Sequence, residues 1–317
     1  MRELPELTSD AIRSAHAEIH PAFSNSPQYV HDGLSARLGV PVIVKVETVN
    51  PIRSFKGRGT WVVINALVAE GRLGADTPVV CASAGNFGQG VAFAAGCAGV
   101  RSVVFASRRA NRGKLARMRA LGADVREVGD DFDAAVAAAR DHAATTGGLL
   151  LVDGDDARIA TGAGTMALEL TDAADAGVLP SPAVVSVPVG NGALINGIGS
   201  WMKAVAPLCR VVGVQAEGAP AMTLSWRAGR AIDTEAAITY ADGIAARVSI
   251  PNAVELMDGR VDDMVLVSEA AMHEAQAELR DALGITVEGA AAASWAALLD
   301  GPRPDGPAVV IITGSNV

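Results

Sequence analysis

The sequence predicts an α/β protein made of two doubly wound domains, and three observations carry that expectation. From Pro78 to Asp153, short apolar segments alternate with helical stretches. A second series of the same kind runs from Ala183 to the C-terminus. Three of the apolar segments end in glycine-bearing turns, and such sheets bind ligands at the carboxyl ends of their strands. Alternation at this spacing calls for crossover units and a parallel sheet covered on both faces.

The elements follow in order. Val42–Val46 reads as an alternating strand whose Lys45 points to solvent, and Asn50-Pro51-Ile52-Arg53 reads as a turn. In the first series the strands are Val79–Ala82, Ser102–Ala106, Asp124–Val128 and Leu149–Val152, with helices beginning near Phe87, Arg112 and Asp131. Gly164–Ala176 is helical and joins the two series. The second contains strand Ala183–Val187, a helix from Leu194, strand Arg210–Val214, a helix near Glu269–Leu283 and a last strand, Ala308–Ile312. We find no internal repeat and no low-complexity linker. The expected division is residues 1–68 with 154–317 in a larger domain and residues 69–153 in a smaller one.

Composition narrows the function. Half of the 317 residues are hydrophobic, enough for an ample core. The net charge is −9 and no basic cluster exceeds Arg108-Arg109 with Arg112, which argues against nucleic acid. No apolar run reaches the roughly 18 residues of a membrane span. The start, Met1-Arg2-Glu3-Leu4-Pro5-Glu6-Leu7, lacks the apolar core of a secretion signal. Cys81, Cys97 and Cys209 fit reduced core thiols in a cytoplasmic protein. His16 and His20 have metal-ligand spacing on a helix, but His-x-Glu-x-His is not the metalloprotease pattern and no third ligand is apparent, so no metal is expected. His31, His142 and His273 form no motif, which leaves a hydrolase without support.

Only four of the 26 basic side chains are lysines. Lys114 and Lys203 sit in helical stretches where a surface role suffices. Lys56 differs, because it follows a turn within Ser54-Phe55-Lys56-Gly57-Arg58-Gly59, beside a ring and two glycines. Glycine there lets a planar ligand approach the backbone, and a partly desolvated lysine loses its charge readily enough for covalent chemistry. Each glycine turn has a functional and a bland reading. Ser83-Ala84-Gly85-Asn86-Phe87-Gly88 opens a helix whose free N–H groups suit a carboxylate, or it is a tight packing turn. Val189-Gly190-Asn191-Gly192-Ala193-Leu194 is neither a dinucleotide fingerprint nor a nucleotide loop, yet it suits a single phosphate. In Thr313-Gly314-Ser315-Asn316 the hydroxyl is a ligand contact or a turn cap.

Together and in order, these residues resemble the serine/threonine dehydratase family of pyridoxal-phosphate enzymes, with the tryptophan-synthase-β-like fold. The similarity runs from about Leu34 to the C-terminus. The resemblance implies that Lys56 is the Schiff-base lysine, that Phe55 packs near the cofactor, and that Asn86 bonds the ring hydroxyl. It implies that Ser83, Ala84, Gly85, Asn86 and Phe87 hold the substrate, that Gly190, Asn191, Gly192, Ala193 and Leu194 bind the phosphate, and that Thr313 faces the pyridine nitrogen. Smaller echoes are Gly162-Ala163-Gly164-Thr165, Val212–Glu217, Ala241-Asp242-Gly243 and Val287-Glu288-Gly289-Ala290. The larger domain would bind the cofactor and the smaller one gate the substrate.

The implied activity is an ammonia-lyase that eliminates the β-hydroxyl of serine- or threonine-like amino acids, in a cytoplasmic homodimer. The alternative is a synthase on the same fold, by cysteine-synthase-like β-replacement or a threonine-synthase-like reaction, which Asn191 and Ala193 in the phosphate loop bring closer. Racemising members carry serine where Ala84 stands, so racemisation is disfavoured. Metal-activated members carry glutamate where Gln215 stands, which puts that cation in doubt. The chain stops just after Thr313, which predicts no regulatory domain and no end-product control.

Overall fold

The computed structural model describes residues 7–317, so the leader reading of Met1–Leu7 falls, Leu7 aside, outside the described residues. The chain begins with α1 (Ser9–Glu18), β1 (Gln28–Val30), α2 (Asp32–Leu38), β2 (Val42–Val46) and α3 (Lys56–Ala69). The first alternating series follows as β3 (Val79–Ala82), α4 (Asn86–Cys97), β4 (Ser102–Ala106), α5 (Arg112–Ala120), β5 (Asp124–Glu127), α6 (Phe132–Thr146) and β6 (Leu149–Leu150). The long α7 (Ala157–Asp175) leads to β7 (Val184–Pro188), α8 (Ala193–Val205), β8 (Arg210–Ala216), α9 (Ala221–Ala228) and α10 (Pro251–Met257). The chain ends with β9 (Asp263–Val267), α11 (Glu269–Leu283), α12 (Gly289–Asp300) and β10 (Ala308–Ile312).

Two sheets result. One has the order β1-β2-β10-β7-β8-β9 and the other β5-β4-β3-β6. Every pairing is parallel except β1 with β2. Central strands β2, β7 and β10 are buried at every position, as expected of parallel strands covered on both faces. Period-2 alternation divides their side chains. Ile43, Val185, Val309 and Ile311 join the core under α7 and α8, which includes Trp201. Val44, Val184, Val310 and Ile312 join the core on the other face, with Trp295 of α12.

The alternation read from the sequence is present, with corrections. The strand expected at Asp124–Val128 ends at Glu127, and that at Leu149–Val152 ends at Leu150. α7 begins at Ala157, seven residues before the expected start, and β1, β9 and α12 carried no sequence signal strong enough to read. His20 lies beyond α1 and packs against the rings of Phe23, Trp61 and Phe93. Cys97 is exposed rather than a core thiol. Gly57 and Gly59 serve helix packing, not ligand approach. A Cβ on Gly57 would lie 2.1 Å from the Phe23 ring, and one on Gly59 would lie 2.5 Å from the Ile159 carbonyl oxygen.

Lys45 is the largest departure. Because β2 is central, its side chain is buried rather than solvated, and its ammonium pairs with Glu169 of α7. The same carboxylate meets Arg58, whose Nη1 and Nη2 donate to Glu169 at 2.7 and 2.9 Å. Arg58 also donates to both oxygens of Glu47 at 2.9 Å and to the Thr165 hydroxyl at 2.8 Å. Two buried cations and two buried carboxylates thus join β2, α3 and α7. Removing one member of such a set leaves an uncompensated buried charge. Glu169→Ala is therefore expected to lower the unfolding free energy by about 3–5 kcal/mol, measured by denaturant titration at neutral pH. A loss below about 1 kcal/mol would mean that water replaces the carboxylate.

Candidate active site

Lys56 opens α3, and its position is fixed by the turn before it. Asn50 Oδ1 accepts from the N–H groups of Ile52 and Ser54, and Arg53 adopts a left-handed φ of 52°. Ser54 forms a bridge with Gly314, and the Phe55 N–H donates to the Thr313 carbonyl at 3.0 Å. The lysine and the third glycine turn are therefore stitched together through backbone. Lys56 Nζ donates to Asp153 Oδ2 at 2.6 Å and lies 5.0 Å from the Phe55 ring and 5.9 Å from the Phe87 ring.

The turn after β3 is partly occupied by itself. Ser83 Oγ accepts from Gly88 N–H at 2.9 Å and Gly85 N–H at 3.2 Å. Those two donors are not free for a ligand. The N–H groups of Ala84, Asn86 and Phe87 have no protein acceptor among the described residues. A Cβ built on Gly85 meets nothing within 4 Å, so the turn faces open space. Phe87 is itself buried in the core, with only its ring near Lys56. Asn86 Nδ2 donates to both Glu288 oxygens, at 3.1 and 2.9 Å, and Asn86 Oδ1 accepts from Asn316 Nδ2 at 2.7 Å.

The loop after β7 forms a cradle. Gly192 has a φ of 89°, and a Cβ on Gly190 would lie 2.6 Å from the Gly243 carbonyl oxygen. Ala193 and Leu194, both buried, begin α8. The N–H groups from Gly190 to Leu194 have no protein acceptor among the described residues. Asn191 turns its Nδ2 toward Asp153 Oδ2 at 3.3 Å. Thr313, at the end of β10, is buried, and its Oγ1 has no hydrogen-bond partner among the described residues. It caps nothing. Gln215 is used inside the fold, with Nε2 donating to the Val189 carbonyl and Oε1 accepting from Thr223.

Sequence reasoning missed Asp153 and undervalued Glu288 and Asn316. Asp153 lies just past β6, a strand end like the other three, so position alone could have raised it. Lys114, expected at the surface, is nearly buried and pairs with Asp242, whereas Lys203 is partly exposed and pairs with Asp262 at 2.6 Å.

The donor set fits pyridoxal phosphate. An amine stands at the start of α3, consecutive unpaired N–H groups at one strand-end turn can wrap a phosphate, and an orphaned buried hydroxyl at another can meet a ring nitrogen.

Burial pushes the Glu288 carboxyl up to about 7; Asp242 adds to this, while Lys114 and the donors from Asn316 and Asn86 oppose it. The native state then binds more protons than the unfolded chain between about 4.5 and 7, so this group's stabilising contribution is lost as pH rises through that window. Glu288→Gln is expected to remove a pH-dependent component of about 3 kcal/mol between those limits. Unfolding free energies compared at pH 5 and pH 8 check it.

Comparison with known proteins agrees with this arrangement. The family model for pyridoxal-phosphate dependent enzymes matches residues 19–314. An L-threonine ammonia-lyase of Thermotoga maritima is 35% identical over 312 residues, 98% of this chain and 76% of that protein. Another, from Geobacter sulfurreducens, is 34% identical over 89% of this chain and 69% of its own length. The crystal structure of a T.th. threonine deaminase superposes with a TM-score of 0.90 at 31% identity, covering 98% of each chain. Maize serine racemase gives 0.88 at 26% identity, over 98% of this chain and 94% of its own. The family match takes in both sheets, the first two glycine turns and the start of the third, and the chain belongs to the pyridoxal-phosphate dependent enzymes.

Proposed function

We propose that this protein is an ammonia-lyase that eliminates the β-hydroxyl of threonine- or serine-like amino acids, giving a 2-oxo acid and ammonia. The supporting observation is one lysine amine held among three strand-end turns; Ala84 adds only a methyl group, where the family resemblance implies a serine in racemising members. The names of the relatives from Thermotoga maritima and Geobacter sulfurreducens support the same reaction. The synthase alternative drew on Asn191, whose amide is engaged with Asp153.

Bound through Lys56, pyridoxal phosphate supplies the electron sink that makes the substrate's α-proton removable. Each residue then has a defined task. The Lys56 amine takes the α-proton as general base. The free N–H groups of Ala84, Asn86 and Phe87, at the positive end of α4, hold the substrate carboxylate. Gly190 to Leu194 would hold the phosphate through backbone N–H groups, Phe55 would pack beside the ring, and Asn86 would bond its hydroxyl by turning its Nδ2 away from Glu288. Thr313 meets the pyridine nitrogen without imposing a charge. Ala84 offers no proton to the opposite face, so return of the proton there is blocked. In this scheme residues 1–68 and 154–317 bind the cofactor, residues 69–153 gate the substrate, and the enzyme works as a cytoplasmic homodimer.

Borohydride reduction of the holoenzyme is expected to fix cofactor mass on Lys56. Recovery of the label on Lys45, Lys114 or Lys203 would overturn the assignment. Lys56→Ala is expected to lower 2-oxo acid release from threonine and serine by roughly a thousandfold, since both covalent attachment and the base disappear. Wild-type racemisation of serine should be minor beside elimination, as chiral chromatography of the recovered substrate would reveal.

A further inference from the structure

The geometry points to Asp153 as the proton carrier of the site, the group that receives a proton from Lys56 and delivers it to the departing β-hydroxyl. This rests on the lyase reading above. Three observations support it. Asp153 Oδ2 accepts directly from Lys56 Nζ at 2.6 Å, and this is the only ion pair of Lys56 among the described residues. The other oxygen, Oδ1, is buried and has no hydrogen-bond partner among the described residues, so half of the carboxylate is uncommitted. The carboxylate is also built into place. Gly154, with a φ of 88°, brings the following backbone against Asn191, where a Cβ would lie 2.7 Å from the Asn191 carbonyl oxygen. Asn191 Nδ2 reaches Asp153 Oδ2 from the phosphate loop.

The chemistry calls for a proton at the leaving oxygen. Elimination breaks the Cα–H and Cβ–O bonds, and hydroxide is too poor a leaving group to depart without a proton. Lys56 N gains the α-proton as Cα–H breaks. An N–H bond of the resulting ammonium then breaks and its proton passes to Asp153 Oδ2. The Asp153 carboxyl gives that proton to the β-oxygen as Cβ–O breaks, water leaves, and both the amine and the carboxylate are restored. The β-oxygen lies one carbon from the Cα that Lys56 attends, so an acceptor hydrogen-bonded to that amine is within proton-transfer reach.

The test separates proton delivery from mere positioning. Chloride leaves without a proton, so β-chloro-L-alanine needs Lys56 but no proton donor. In cofactor-loaded Asp153→Asn, elimination from L-threonine and L-serine is expected to fall at least about a hundredfold, while elimination from β-chloro-L-alanine changes less than about threefold. Exchange of the α-proton of L-serine with deuterated solvent, followed by NMR, should persist in the variant because removal of that proton is untouched. Equal losses on both substrate types, with exchange also lost, would reduce Asp153 to a prop for Lys56 and overturn the proposal. Unchanged turnover of the hydroxy substrates would do the same. Asp153→Glu guards against a general defect, since it keeps a carboxylate and should hold the hydroxy-to-chloro ratio near that of wild type. A ratio as low as that of Asp153→Asn would count against proton delivery. Wild-type enzyme inactive on both hydroxy amino acids would refute the lyase reading itself, a result read before any variant is compared.

Discussion

Arg58 anchors the reacting end of the molecule to its larger sheet. Two residues apart on a helix lie about 200° apart around the axis, so when Lys56 faces the cleft, Arg58 faces inward. There it meets Glu47 from the end of β2 and Glu169 from α7, with no exposure to solvent. Burying these charges carries a desolvation penalty that pairing only balances when every partner is present. Glu169 illustrates that balance. Burial favours its neutral form, yet the neighbouring His16 ring and the charges of Arg58 and Lys45 hold its carboxyl well below the usual range. The network is weak evidence for stability and stronger evidence for register. It favours one seating of α3 on α7, and hence one position for the Lys56 backbone.

Close helix packing depends on the same seating. A Cβ on Gly162 would lie 2.5 Å from the Arg58 carbonyl oxygen, and one on Gly197 would lie 2.1 Å from that of Ala160. α3, α7 and α8 therefore approach backbone to backbone, and the start of α8 carries the Gly190–Leu194 cradle. The Gly162-Ala163-Gly164-Thr165 segment, in sequence only an echo of a family, is physically a helix contact that sets the distance between lysine and cradle. Thr165 adds the hydroxyl that receives Arg58.

What the sequence revealed was local, and what it hid was long-range. The three glycine turns were legible because each follows an apolar strand directly, and a β-strand in an alternating series has one plausible role. Lys56 stood out through its rarity and its neighbours. Its carboxylate partner is 97 residues away, the partner of Lys45 is 124 away, and that of Asn86 is 202 away. Nothing in composition or period connects such pairs. Lys45 misleads because an alternating pattern suggests one wet face, whereas β2 pairs with β10 in the middle of a covered sheet. Gly57 and Gly59 mislead because flexibility toward a ligand and absence of bulk against a helix leave the same residue in the sequence.

The two sheets meet through polar contacts at the site itself. Asn86 begins α4 of the smaller sheet's layer, while Glu288 and Asn316 flank α12 and follow β10 in the larger. Lys114 with Asp242 and Arg117 with Asn316 span the same boundary. Maize serine racemase shares this backbone at a TM-score of 0.88, so the fold does not choose between racemisation and elimination. A racemase must deliver a proton to the face opposite the one it removed it from. Under the proposed reading Ala84 stands on that face, and its methyl group cannot do so. On the Lys56 side, by contrast, a carboxylate lies within 2.6 Å of the amine with one oxygen uncommitted. Under the proposed reading, a proton that cannot return on one face and has a carrier on the other is directed toward the leaving group, and elimination follows from where the acids stand rather than from the fold that holds them.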